Sequence, residues 1–358
     1  MSAASPASPT SPASPASPTT DVHAHLLVPA AEALVADRPE LGAARAVEGR
    51  AAGAASSRVN REQIAALGLA LTRLDHRLAA MDAAGVERQL VSPMPIHHPW
   101  ADRDLALAYA DAVNTGVLEH CAGAPDRLLG LGTAPLQHPD LAVDVLRSAV
   151  RDGLRGVEVS THVTGPDARR RELDDPDLAG FWAAAAELEA VVFVHPWGCT
   201  LGERLDVGYL SNTVGNPVET TVALSRLVAA GLLPTEGQHA DRGVRLLAAH
   251  GGGFFPSGTA RQDHAWHARP DDRAAPAPPS TALRRMWFDA LVYTPEALRH
   301  LVATAGADRV LLGTDYPFDM AVTDPLDRLA AAGLDPADAE AIRGGNAVEL
   351  LAPARVEA

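Results

Sequence analysis

Cysteine is nearly missing from this chain. Cys121 and Cys199 are the only two in 358 residues, too few for a disulfide framework and without the close pairing of a zinc–thiolate site. That scarcity suits a reducing cytoplasm, the expected location. An excess of basic residues is also missing: 30 Lys and Arg stand against 45 Asp and Glu, a net charge of −15, which argues against nucleic-acid and acidic-membrane partners. No apolar run approaches the ~20 residues of a membrane span, so no membrane partner is expected. The first residues have neither a basic region nor an apolar stretch, and are not expected to act as a secretory signal. No Gly-x-Gly-x-x-Gly follows an apolar run, which weakens a dinucleotide-binding fold.

What is present suits a soluble globular protein, with 47% hydrophobic and 21% charged residues. Residues 1–20 are Ser, Pro and Ala repeats that cannot build a core, and read as a disordered leader ahead of one domain over 21–358. Short apolar runs then recur at 21–25, 89–93, 128–133, 156–160, 191–195, 245–250, 286–291 and 310–314. Helical patterns separate them at 71–84, 104–122, 140–152, 177–189, 218–230 and 295–305, with a last pair at 325–332 and 336–342. Continuous apolar runs suit parallel strands buried on both faces. Eight of them alternating with helices predict an α/β fold, a (β/α)8 TIM barrel, with an open doubly wound sheet as the alternative. The stretches 36–60 and 268–280 fit neither element and read as loop excursions at the C-terminal face of the strands.

That face collects metal-competent side chains. His23 and His25, two apart on the first strand, point the same way. His195 ends the fifth strand in Val-His-Pro-Trp197, His250 ends the sixth in Ala-His-Gly-Gly-Gly253, and Asp315 ends the eighth in Gly-Thr-Asp-Tyr-Pro-Phe318. One histidine at a strand end is ordinary, whereas five ligand-type residues on one face point to an ion. His23, His25, His195 and Asp315 are the expected ligands of Zn²⁺, with Mn²⁺ or Fe²⁺ as alternatives. His250 is either a fifth ligand or, more usefully, the base that takes a proton from metal-activated water; with Asp315 it forms the expected catalytic pair. Trp197 and Phe318 are expected beside the metal or the substrate. His97, His98 and Trp100 read as residues of the pocket mouth, and Asp289 as one that orients a ligand or substrate. His162 reads as a supporting residue, and His264 and His267 as surface ones.

Asp-Val-His-Ala-His, His-Pro-Trp, Ala-His-Gly-Gly-Gly-Phe-Phe-Pro and Leu-Gly-Thr-Asp-Tyr-Pro-Phe together resemble the amidohydrolase superfamily, in its branch containing 2-amino-3-carboxymuconate-6-semialdehyde decarboxylase. The resemblance spans about residues 21–351. It implies a (β/α)8 barrel, zinc on the four ligands above, His250 as acid/base and a homodimer. It further implies that Arg261 reaches the neighbouring subunit's site to hold a substrate carboxylate, and that Arg58, in Arg-Val-Asn-Arg-Glu62, holds another. The chain departs from that decarboxylase at Tyr209, Asn212 and Asp319, and in the Ala/Gly-rich stretch 41–57, so the metal chemistry looks kept and the pocket lining altered. The expected function is non-oxidative decarboxylation of a small carboxylated muconate-semialdehyde-like or aromatic substrate. The alternatives are a metal-dependent hydrolase, hydratase or dehydrative cyclase, and a non-catalytic metal-binding scaffold.

Overall fold

Five consecutive buried residues, Val191–His195, leave a strand no polar face to show to water, so it needs neighbours on both edges and cover on both faces. The computed structural model, which describes residues 17–233, 243–272, 275 and 277–354, supplies both. Its strands are β1 (Thr20–Leu26), β2 (Arg88–Pro93), β3 (Leu128–Gly130), β4 (Gly132–Thr133), β5 (Gly156–Ser160), β6 (His162–Thr164), β7 (Arg170–Glu172), β8 (Val191–His195), β9 (Arg245–Ala248), β10 (Met286–Asp289) and β11 (Val310–Leu311). One sheet runs β1-β2-β3 and a second runs β11-β10-β9-β8-β5-β4, with every pairing parallel; only β6 and β7 pair antiparallel, as a separate hairpin. Backbone bonds link the sheets at both edges. Leu131 N donates to Val91 O at 2.8 Å; on the other side Val22 N donates to Leu312 O at 2.9 Å and Asp315 N to His23 O at 2.8 Å.

The period-two alternation of the strands sorts their side chains into two apolar layers. Val22, Leu90, Leu131, Phe193, Leu247 and Leu311 meet in one. Val192, Val194, Leu246 and Ala248 turn the other way, towards the helices. Pro139–Arg151 shows why the helices pack there: Leu141, Ala142, Val145, Leu146 and Ala149 recur on one buried face, and Pro139 supplies a start that needs no N–H. Asp102 and Thr294 cap two other helices by accepting from Leu105 N and Ala297 N.

Several boundaries differ from those expected, each for a local reason. The strands expected to reach residues 250 and 314 stop at Ala248 and Leu311. His250 and Asp315 themselves adopt left-handed backbone, at φ 54° and 60°, which leaves a β ladder. The stretch 36–60 is no open loop; it lies mostly in a helix, Pro39–Ala66, because Ala and Arg favour helix even where no apolar stripe announces one. Gly53, at φ 76° and ψ 160°, kinks that helix where its backbone passes close to Asp206, and a Cβ there would collide. The helix expected over 71–84 is two, Gly68–Thr72 and Leu74–Ala83. The stretch 268–280 holds the end of helix Phe255–Ala268 and two short turns, Pro270–Asp272 and Pro279–Arg285. Of the expected leader, residues 1–16 lie outside the described residues; Thr19 and Thr20 are buried, and β1 begins at Thr20. Among the described residues no helix is long and apolar enough to cross a membrane.

Candidate metal centre

His23 and His25 share one face of β1 and are fully buried. His195 closes β8, in register with Ser160, and Asp315 follows β11 on left-handed backbone that turns its carboxylate back over the strand ends. Ligand atoms of these four side chains all lie within 4.8 Å of one another. His23 Nε2 and His25 Nε2 are 3.1 Å apart, and Asp315 Oδ1 lies 3.4 Å from the first and 3.2 Å from the second. His195 Nε2 is buried with no hydrogen-bond partner. Three imidazole nitrogens and a carboxylate crowded around one point, one nitrogen orphaned, fit a metal ion held in the middle.

The far nitrogens are already engaged, which fixes each ring. His23 Nδ1 bonds Asp289 Oδ2 at 2.7 Å, His25 Nδ1 bonds Pro93 O at 2.9 Å, and His195 Nδ1 bonds Pro196 O at 3.1 Å. Each ring thus holds a proton on Nδ1 and keeps Nε2 free for an ion. Asp289 does more than orient His23: it accepts His250 N and Gly251 N, both at 2.8 Å, and so shapes the turn that carries His250. Gly313 is small because a Cβ there would press on Asp289 and His23.

Electrostatics agree with a cation site. Burial alone would raise Asp315, yet the charges and hydrogen bonds of the surrounding histidines hold it well below the carboxylate range. Burial, reinforced by the neighbouring imidazoles, keeps His195 neutral and ready to donate a lone pair. His250 Nε2 lies 3.9 Å from Asp315 Oδ2, and its ring stands 5.2 Å from that of His23 and 5.0 Å from that of His195. It therefore borders the cluster without belonging to it.

The other expected residues divide. The Phe318 ring lies 5.3 Å from that of His25, and Trp197 lines a cavity of about 210 Å³ together with His97, His98, Trp100 and His162. Arg58 is not brought there: its side chain is exposed on the helix Pro39–Ala66, and its ion-pair partner is Glu62, one turn on, at 3.9 Å. Arg261 is exposed on Phe255–Ala268, as are His264 and His267.

Three supporting residues had no role assigned from sequence. Asp21 accepts from His23 N, Thr314 N, Thr314 Oγ1 and Gln89 Nε2, tying β1 to β2 and to the segment before Asp315. Arg77, fully buried, donates to His25 O and Gln89 Oε1, both at 2.6 Å, and to His120 Nε2 at 3.0 Å. Its signal was an arginine on the apolar face of a helix, between Leu74 and Met81. Glu158, a lone acid inside the apolar strand β5, sits 3.7 Å from His25 Nδ1, and burial pushes its carboxyl up to about 7.

Known proteins share this chain's sequence pattern and fold. The family described as amidohydrolase matches residues 20–352. The 2-amino-3-carboxymuconate-6-semialdehyde decarboxylase of Dictyostelium discoideum is 32% identical over 285 residues, covering 77% of this chain and 76% of its own. The gamma-resorcylate decarboxylase of Rhizobium sp. (strain MTP-10005) is 29% identical over 68% of this chain and 77% of its own. Among solved structures, 2,6-dihydroxybenzoate decarboxylase complexed with 2,6-dihydroxybenzoate superposes with a TM-score of 0.76 at 25% identity, over 94% of this chain and 99% of its own. The fold is shared as well with a 5-carboxyvanillate decarboxylase of Novosphingobium aromaticivorans with bound manganese, at TM-score 0.80 and 20% identity, over 94% and 97% of the two chains. The chain belongs to the amidohydrolase family, as an enzyme of the branch whose members named here are decarboxylases.

Proposed function

We propose that the protein is a zinc-dependent, non-oxidative decarboxylase of a small aromatic or muconate-semialdehyde-like acid. In this reading the two sheets close into one (β/α)8 barrel, and the site lies at the C-terminal ends of its strands, where such enzymes keep their chemistry. The observation that carries it is the four-donor cluster with His250 at its edge, in a chain whose relatives are decarboxylases.

His23, His25, His195 and Asp315 hold the ion. Once bound, it supplies positive charge that acidifies water and steadies negative charge on an oxygen of the substrate. The protein's own groups do the rest. Asp289 fixes the backbone of His250, so that its Nε2 faces the space beside Asp315, where it holds the proton that is moved. The bond from carbon to carboxylate breaks, carbon dioxide leaves, and the electron pair passes into the substrate's conjugated system. The His250 proton then goes to that carbon, so the carboxylate is replaced by hydrogen. Phe318 and Trp197 border the substrate. The protein acts as a cytoplasmic homodimer in which Arg261 reaches a carboxylate in the neighbouring site; its exposure on Phe255–Ala268 and the free state of Cys121 and Cys199 support this.

The test measures carbon dioxide from a panel of hydroxybenzoic and muconic acids, with stripped protein reloaded by Zn²⁺ or Mn²⁺. Release from at least one acid is expected, stopped by chelation. His250→Ala, folded and fully loaded, should lose at least ~100-fold in turnover. Cleavage of amides or esters without carbon dioxide release, or normal turnover in His250→Ala, overturns the proposal.

A further inference from the structure

Glu158 stands in the middle of β5, between Val157 and Val159, with 0% exposure. Neither of its carboxylate oxygens has a hydrogen-bond partner among the described residues. Oε2 lies 3.7 Å from His25 Nδ1 and Oε1 lies 3.8 Å from His97 Nε2, both too far for a hydrogen bond. The donors nearby are turned elsewhere: His25 Nδ1 gives its proton to Pro93 O, and the Ser92 hydroxyl gives its own to Ala24 O at 3.2 Å.

Nothing cationic stands in for those bonds. The groups that Glu158 could pair with inside 4.0 Å are the two imidazoles, and no arginine is among them. Burial pushes His97 down to about 3, so that ring brings no charge. Its Nε2 is itself orphaned. His97 lines the 210 Å³ cavity, whose wall also takes in Leu41, Ala44, Arg45 and Glu48 of the helix Pro39–Ala66. The carboxylate therefore lies between a metal donor and the cavity, unpaired towards both.

An isolated carboxylate is among the costliest groups to bury, unless a positive charge answers it. The one place here built for such a charge is on the far side of the His25 ring, where the four donors converge. Asp289 already backs His23 by a direct bond at 2.7 Å. Glu158 stands in the like place behind His25, as charge without a hydrogen bond. We propose that Glu158 is a positioning residue of the metal centre, an outer counter-charge that acts through His25 to tighten the hold on the ion. The ion in turn offsets the cost of keeping that carboxylate in the core. The inference rests on the metal site of the proposed function and not on the reaction run there.

Glu158→Gln removes the charge and keeps the shape. Competition for Zn²⁺ against a chromophoric chelator should show affinity lower by about 10–100-fold, the share of an outer partner. Glu158→Asp keeps the charge and should recover part of that loss. Thermal midpoints separate this role from a merely structural one. Metal-stripped Glu158→Gln should melt no lower than the stripped unmodified protein, because an unpaired buried charge has gone, whereas the rise in midpoint that Zn²⁺ brings should shrink. Equal zinc affinity with and without the substitution overturns the proposal, as does a stripped variant that melts lower or fails to fold. If the unmodified protein takes up neither Zn²⁺ nor Mn²⁺, the metal centre falls and this role with it. If zinc affinity follows Glu158 but no acid yields carbon dioxide, the decarboxylase reading alone fails.

Discussion

The metal floor and the helix that walls the cavity are built in opposite ways. Asp21, His23, His25, Arg77 and Asp289 all have 0% exposure, and each is held by hydrogen bonds to neighbouring strands or turns. In the helix Pro39–Ala66, 28 residues long, only Leu41 and Ser56 are buried, and Gly53 breaks the helical backbone midway. Donors for an ion must sit within tenths of an ångström of fixed positions, which demands rigid, fully partnered strands. A cavity wall needs only one face of the right shape and charge, and the rest of such a helix is free to vary.

The largest effects should therefore come from the floor. His195→Ala removes a ligand outright, so metal affinity should fall by more than the ~10–100-fold that an outer partner is worth, and turnover with it, while the fold persists. Metal content after dialysis and circular dichroism together check this. Leu41→Ala, on the cavity wall, should keep full metal content and alter KM; a loss of metal there would erase the division between the two regions. Stability should divide likewise. Arg77→Met keeps an apolar stem but strands His25 O, Gln89 Oε1 and His120 Nε2 inside the protein, a cost of about 3–5 kcal/mol in urea unfolding. Arg58→Ala, on the exposed side of the wall helix, should stay within about 0.5 kcal/mol.

The same contrast explains what the sequence made legible. Strand ends announce themselves, because a ligand-type residue at the end of an apolar run has few other reasons to be there; His23, His25, His195 and Asp315 share that position, and they converge. The left-handed turns at His250 and Asp315 were not legible, since neither is the Gly that normally marks such backbone. Asp21 stands inside the His23–His25 motif, but a carboxylate that braces two strands looks in sequence like one that binds an ion. The wall helix was unreadable because Ala, Gly and Arg give it no apolar stripe, and its inward face shows only against the cavity. Arg58, expected from family likeness to hold a carboxylate, lies exposed on that helix beside Glu62, and without a stripe the sequence does not fix which of its arginines faces the cavity.

The smallest expected effect concerns acid, and it compares one histidine from each region. Burial, helped by the charge of Arg45, pushes the cavity's His98 down to about 4; burial, helped by Arg77, does the same for His120 behind the floor. Unfolded, each takes up a proton near 6.5, whereas folded each stays neutral until about 4. Between those values the unfolded chain binds more protons, so stability is fully present above about pH 6.5 and is lost as pH falls towards about 4. Urea midpoints between pH 7.5 and 4.5 should decline accordingly. In the floor, His120→Gln keeps an acceptor for Arg77 Nε but cannot titrate, so its decline should be shallower by that one group's share. In the cavity, His98→Gln should flatten the curve in the same way. A slope unchanged by His120→Gln but flattened by His98→Gln would put the acid sensitivity in the cavity alone, and would mean that His120 takes up its proton in the folded protein as readily as in the unfolded chain.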